Sequence, residues 1–439
     1  MRVSVFGLGY LGYVSAACLA RDGHTVIGAD VEPREVSLDS AGGFPGLGSG
    51  LERVIAEAQS SGQFRTTIDP RSAVLESDVS LICVGTSSNA NGSLNLRDLD
   101  QVCVQIGTAL AVKDDYHLVV VRSAVLPGTI KGRLTLLLEQ HSDRQAGDAF
   151  GICMNPAFEM DSSGAGDFDH PGQIVIGELD TRSGDTAQRL YRTIGPIIRT
   201  SIQAAEMLNY VSSAFHAVKV TFANEIGTLC ASHGIDGQEV MEYCCQDRRL
   251  KPGFAFGEPS VPNDLRALLY RAKEQDIECP LLSAVLPSNQ RQIFRAIELV
   301  EKTRRSRVGI LGLGFKAGTA DIRDNPIIHL VEMLIGKGYQ LRIFDENIDL
   351  TRLTDANTFF LDRGLPHIVK LISPSIEEVI EESEVVVVAS GDVAVRNVSE
   401  LLSSDQILID VAGVTRGVTR QQPKIPIVLN SGNTREGIC

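Results

Sequence analysis

The run Gly7-Leu8-Gly9-Tyr10-Leu11-Gly12 follows the β-branched stretch Val3–Phe6 without a break and opens a helical pattern, and Asp30 stands at the end of the next strand-like run, Thr25–Ala29. A Gly-x-Gly-x-x-Gly turn placed between strand and helix, with an acid about 20 residues on, commits this part of the chain to a βαβ unit of a parallel sheet. The glycines permit a tight turn and close approach of backbone to a pyrophosphate. The helix N-terminus favours its negative charge. Asp30 can accept from both hydroxyls of a ribose, and its own charge opposes a 2′-phosphate. Gly7, Gly9, Tyr10, Leu11, Gly12 and Asp30 are therefore candidate dinucleotide contacts, with NAD expected over NADP.

The same alternation of β-branched runs and amphipathic stretches continues through Val79–Val84 and Leu118–Val121. It restarts near Arg307 with Val308–Leu311, Gln340–Phe344, Val385–Ala389 and Ile407–Val411. The expected fold is α/β, with two Rossmann-like, doubly wound parallel sheets. From about Ala204 to Glu301 the pattern is helical. Apolar helix faces with no sheet to cover must bury against something, so this segment is expected to link the halves and carry a homodimer surface. The domains then run over 1–200, 201–300 and 301–439. In the second half, Gly309-Ile310-Leu311-Gly312-Leu313-Gly314 has the spacing GxxGxG, and only Asp345 answers to Asp30; on these residues tight packing and ligand binding stay equally open.

A formal net charge of −14 supplies no basic face for a nucleic acid. No apolar run reaches the roughly 20 residues needed to cross a bilayer, and the first residues enter a strand without a signal-peptide pattern, so no membrane partner and a cytoplasmic location are expected. The nine cysteines are scattered apart from Cys244-Cys245, in no metal or redox spacing, and no metal is expected.

A resemblance becomes specific at Phe6-Gly7-Leu8-Gly9-Tyr10, Ile82-Cys83-Val84-Gly85-Thr86, Val121-Arg122-Ser123, Leu126-Pro127-Gly128-Thr129, Asn155-Pro156, Lys219 through Glu225, Pro252-Gly253-Phe254-Ala255-Phe256-Gly257 and Gly312-Leu313-Gly314-Phe315-Lys316. In that order, almost end to end, these segments resemble the UDP-glucose/GDP-mannose 6-dehydrogenase family, and His216–Glu225 and Glu332–Tyr339 resemble its GDP-mannose branch most. The resemblance implies NAD as cofactor and adds Val84, Gly85, Thr86, Ser123 and Arg323 to its contacts. It also implies a two-step oxidation of a sugar C6 alcohol to a carboxylate, with a cysteine trapping the intermediate aldehyde.

The residues of that chemistry are altered. The family's GGSCLPKD motif reads Gly257-Glu258-Pro259-Ser260-Val261-Pro262-Asn263-Asp264. The cysteine position falls on Ser260 or Val261, and reading back from Asp264 selects Ser260. The lysine has become Asn263; the aspartate remains. Asn-Pro-Glu-Phe becomes Asn155-Pro156-Ala157-Phe158, and the second acid is shortened to Asp161. The central lysine is Asn209, the asparagine after it Ser213, and the serine-threonine pair is Ser123-Ala124. The stretch Cys245 to Gly253 is short, and the loop Pro45–Gly50 lacks the family's glutamate.

Losing several interacting groups of one reaction together implies that the cysteine-dependent oxidation has ended, while NAD is kept. The expectation is a repurposed NAD-dependent oxidoreductase acting on a small anionic substrate, possible nucleotide-linked compounds included. Asp264 is its candidate base, with Ser260 and Asp161 as further catalytic candidates. Phe158, His216, Lys219, Phe254, Phe256, Gly257 and Lys316 are candidate substrate contacts. A non-catalytic NAD- or nucleotide-binding protein, and a redox-neutral enzyme with tightly held NAD, stay open as alternatives.

Overall fold

The computed structural model describes residues 1–30, 48–157, 174–191, 196–244, 250, 252–257, 260–313, 325–345, 366–389 and 398–413. Two sheets organise them. The first has eight strands: β1 (Arg2–Phe6), β2 (Thr25–Ala29), β3 (Phe64–Thr67), β4 (Val79–Ile82), β5 (His117–Val121), β6 (Phe150–Met154), β7 (Ile174–Glu178) and β8 (Ile197–Ser201), in the order β3-β2-β1-β4-β5-β6-β7-β8. The second has β9 (Arg307–Leu311), β10 (Gln340–Phe344), β11 (Val385–Val388) and β12 (Ile407–Asp410), in the order β10-β9-β11-β12. The two-Rossmann α/β expectation holds.

Continuous apolar strands follow from burial on both faces. Val3, Val5, Val79, Leu81, Leu118 and Val120 pack on one side with the first helix, Tyr10–Arg21. Phe6, Ile82, Val119 and Val121 pack on the other with the helix Arg97–Leu110. The first sheet is not wholly parallel, however: β6 and β7 run antiparallel. That departs from the expected parallel sheet, and β3, β6, β7 and β8 are strands beyond those the sequence pattern marks. β3, Phe-Arg-Thr-Thr, is a short edge strand with one buried residue, so it carries almost no period-two signal.

Between the sheets the described residues are helical. The long helix Ile202–Ser232 starts at Ser201, whose hydroxyl accepts from the Ala204 amide at 3.3 Å. The helices Gly237–Cys244, Ser260–Glu274 and Pro280–Thr303 follow. Met207, Val211, Phe215, Phe222 and Leu229 form an exposed apolar stripe along the long helix; Phe215 is 62% exposed. No helix among the described residues is long and apolar enough to cross a membrane.

Candidate active site

At the carboxyl ends of β1 and β2 the turn takes the geometry its glycines allow. Gly7 has φ +90°, and a Cβ there would lie 2.9 Å from both the Val84 backbone nitrogen and its Cγ1. A Cβ on Gly12 would lie 1.8 Å from the Gly7 carbonyl oxygen, while one on Gly9 would meet nothing within 4 Å. Gly9 is the N-cap of the first helix, and no side chain caps its amides. Asp30 accepts from the Leu8 amide at 2.7 Å, which fixes its carboxylate above the turn. An open N-terminus, a close-approach glycine and an acid at the neighbouring strand end together fit a dinucleotide. Tyr10 is about half exposed; Leu11 packs on the core of the sheet.

The loops after β4 and β5 are stitched together beside this turn. Ser123 donates its hydroxyl to the Val84 carbonyl at 2.6 Å, and Thr86 donates to the Ala124 carbonyl at 2.8 Å. Both hydroxyls thus shape the loops. Gly85 has open space where a Cβ would stand.

Across the cleft, the helix Ser260–Glu274 presents Asn263 and Asp264. Asn263 donates to the Thr86 carbonyl at 2.7 Å and accepts from the Ser88 hydroxyl, a clasp between segments some 175 residues apart. Asp264, 3% exposed, accepts from the Ser213 hydroxyl at 2.6 Å. Asn209 and Tyr210, buried on the long helix, lie one turn before Ser213. The Tyr210 hydroxyl has no hydrogen-bond partner among the described residues. Burial, then the Asp264 and Glu206 charges, push its pKa well up, so it stays protonated. Glu206, one turn earlier, is buried and accepts from the Gly128 and Ile130 amides at 2.6 and 2.8 Å; burial raises its pKa. It ties the loop after β5 to the long helix.

The other expected contacts are placed as follows. The half-buried Lys219 sets Nζ 4.9 Å from the centroid of the exposed Phe215 ring. At about 100° per residue, Phe215 points away from the Ser213 side of the helix. The half-buried His216 stands one turn from Ser213. Phe256 is buried with Ala214, Ala217 and Leu265, and Phe254 packs on the core of the second sheet. The Phe256 amide and carbonyl both bond to Asn289, at 2.8 and 2.7 Å. A Cβ on Gly257 would lie 1.9 Å from Pro326 Cδ, so the glycine permits contact between the helical segment and the second sheet's first helix. Phe158, Asp161, Lys316, Arg323 and the Ser260 side chain lie outside the described residues.

The second sheet repeats the turn. Gly312 has φ +90° and its amide donates to the Phe344 carbonyl at 2.8 Å, as the Gly7 amide does to Ala29 at 3.0 Å. The Leu313 amide donates to Asp345 at 2.6 Å, matching Leu8 and Asp30. Asp345 therefore stands to the second turn as Asp30 does to the first.

These features converge with sequence comparison. Residues 1–195 match the NAD binding domain of the UDP-glucose/GDP-mannose dehydrogenase family, 203–291 its central domain and 309–417 its UDP binding domain. The chain belongs to the UDP-glucose/GDP-mannose dehydrogenase family. It is 43% identical over the full length of both chains to GDP-mannose 6-dehydrogenase of Pseudomonas aeruginosa. It is 30% identical to UDP-glucose 6-dehydrogenase of the same organism over 79% of each chain. Among solved structures it resembles a UDP-glucose dehydrogenase from Pyrobaculum islandicum with a TM-score of 0.83, at 28% identity and covering 94% of both chains. For a ternary complex of the Pseudomonas aeruginosa GDP-mannose dehydrogenase the TM-score is 0.56, at 43% identity, covering 96% of this chain and 99% of that one. As a member of this family the chain binds NAD through its N-terminal domain, and its C-terminal domain points to a nucleotide-linked substrate.

Sequence reasoning missed the Ser88–Asn263–Thr86 clasp, the Glu206 tie and the Tyr210 hydroxyl, which has no partner among the described residues. A buried carboxylate at an apolar helix face was the one available signal, for Glu206.

Proposed function

We propose that this family member is an NAD-dependent oxidoreductase that no longer performs the cysteine-dependent, two-step oxidation of a nucleotide sugar. It acts instead on an alcohol or related carbon of a small anionic, nucleotide-linked substrate. The observation that carries this reading is the polar set facing the loops after β4 and β5. It consists of a carboxylate, a carboxamide and hydroxyls, with Asp264 held by Ser213 and Asn263 clasped to Thr86 and Ser88. A second hydride transfer from a trapped aldehyde needs a thiolate, and stabilising the developing alkoxide calls for a cation. Cys83, Cys103 and Cys153 are buried thiols pushed up to about 11, 12 and 12 by burial, which makes them poor nucleophiles near neutral pH.

Within this reading the turn Gly7–Gly12 and Asp30 hold the dinucleotide, which supplies a hydride acceptor when bound. Asp264 takes the proton of the substrate hydroxyl, Ser213 orients its carboxylate, and the protonated Tyr210 donates toward oxygen at the site. The chain acts as a homodimer through the Met207–Leu229 stripe of the long helix, in the cytoplasm, where the free thiols of all the described cysteines are at home. A second reading, a non-catalytic NAD- or nucleotide-binding protein, is favoured by the same clasp, because Asn263 spends both ends of its side chain on the protein itself.

Turnover separates them. Small molecules that copurify are identified by mass and offered back with NAD⁺. Net NADH formation that disappears in Asp264→Asn, with NAD binding kept, supports the oxidoreductase; binding without any product supports the second reading. Product without net NADH would move the protein to redox-neutral chemistry. Uronic acid from GDP-mannose or UDP-glucose with two NADH per sugar, at about 1 per second or faster, would refute the loss of the family reaction.

A further inference from the structure

Arg122 directly follows β5, its amide bonded to the Ile82 carbonyl at 2.9 Å, and its side chain turns inward to 9% exposure. The guanidinium donates to Asn155 Oδ1 and, at 3.0 Å, to the Tyr191 hydroxyl, which itself donates to Asn155 Oδ1 at 2.6 Å. Both partners are neutral: Asn155 is a carboxamide, and burial raises the Tyr191 phenol pKa. Among the described residues Arg122 makes no ion pair, and its Nε has no hydrogen-bond partner. A guanidinium cannot shed its proton in a protein, so this is a buried positive charge with no counter-charge among the described residues.

Its place in the sheet says what that charge acts on. The Gly7–Gly12 turn at β1 takes the pyrophosphate, and Asp30 at the end of β2 takes the adenosine ribose. In the order β3-β2-β1-β4-β5-β6, the other half of the dinucleotide must run toward the ends of β4, β5 and β6. That is where Arg122 lies, between the ends of β5 and β6. The nicotinamide ring carries a positive charge in NAD⁺ and none in NADH.

We propose that Arg122 is a redox-preference residue: its buried charge at the nicotinamide end of the cleft disfavours NAD⁺ and holds NADH. The inference rests on the NAD site alone and is independent of which substrate is oxidised.

The chain has no tryptophan, so NADH fluorescence titrates without protein background from indole. Dissociation constants are measured for NADH, and by competition for NAD⁺ and ADP-ribose, which has the pyrophosphate but no nicotinamide. In Arg122→Met the ratio Kd(NAD⁺)/Kd(NADH) should fall roughly tenfold. That equals a shift of about 30 mV in the bound two-electron couple. Arg122→Lys should keep the ratio, and ADP-ribose affinity should stay within about twofold in both. Should Arg122→Met fail to fold, Asn155→Asp tests the same point by supplying a counter-charge of the same shape, and it should lower the ratio in the same direction. An unchanged ratio in a folded Arg122→Met or Asn155→Asp overturns the proposal. A parallel loss of NAD⁺, NADH and ADP-ribose also overturns it, because the charge would then serve the pyrophosphate.

Discussion

Replacing Asp30 by asparagine separates two things its carboxylate does. In the folded chain it accepts from the Leu8 amide at 2.7 Å, and Leu8 is fully buried. Asparagine can keep that bond through Oδ1, so the turn should survive and the melting temperature move little. What is lost is charge. A charge-assisted bond exceeds a neutral one by about 1 kcal/mol, so NAD affinity should fall by roughly five- to tenfold. The larger effect is on NADP. A carboxylate facing a phosphate at about 4 Å costs several kcal/mol even at an effective dielectric near 20, so the wild-type protein should prefer NAD by at least about a hundredfold. Asp30→Asn should shrink that preference to about tenfold or less. Asp30→Ala should go further and destabilise the fold by about 1–3 kcal/mol, because the Leu8 amide is left buried without a partner. Calorimetric titration with both cofactors and thermal unfolding of the three proteins provide the test. Equal affinity for NAD and NADP in the wild type, or an unchanged preference in a folded Asp30→Asn, would refute the reasoning.

Other outcomes follow from the same geometry. Ser260→Cys alone should not restore uronic acid formation from GDP-mannose, measured by NADH and product mass, because groups that act as a unit are non-additive and Asn209 and Asn263 remain neutral; two NADH per sugar from that single variant would contradict it. Light scattering at micromolar concentration should give a dimer, an interface of this kind burying about 2,000 Å² or more, and Phe215→Asp should weaken it; a monomeric wild type would exclude the stripe as an interface. His117 is fully buried against Ser80, at 2.8 Å, and burial, then the Lys113 charge, push its pKa from 6.5 down to about 3. The unfolded chain binds this proton more readily, so its contribution is fully present above pH 6.5 and is lost as pH falls toward 3, with a slope approaching about 1.4 kcal/mol per pH unit. Urea unfolding from pH 7 to 4 should be steeper in pH for the wild type than for His117→Gln, and equal slopes would show that this histidine is not the cause.

What could be read without coordinates was what neighbouring residues determine between them. A positive φ at Gly7, a helix opened at Tyr10 and an acid closing β2 are written within 30 residues, and two-faced burial writes β1, β4 and β5 as continuous apolar runs. The GxxGxG spacing around Gly312 leaves packing and ligand binding equally open, yet the same hydrogen bond to Asp345 forms there, since the strand order and one positive-φ glycine suffice to build it. Tertiary structure decided the cleft. Asn263 reaches Thr86 and Ser88, Glu206 reaches Gly128 and Ile130, and Arg122 reaches Asn155 and Tyr191, across separations of 33 to 177 residues. No local period encodes such partners. Whether a polar side chain becomes a site, a clasp or a surface depends on which distant backbone meets it, and that is set only when the sheets and the long helix close on one another.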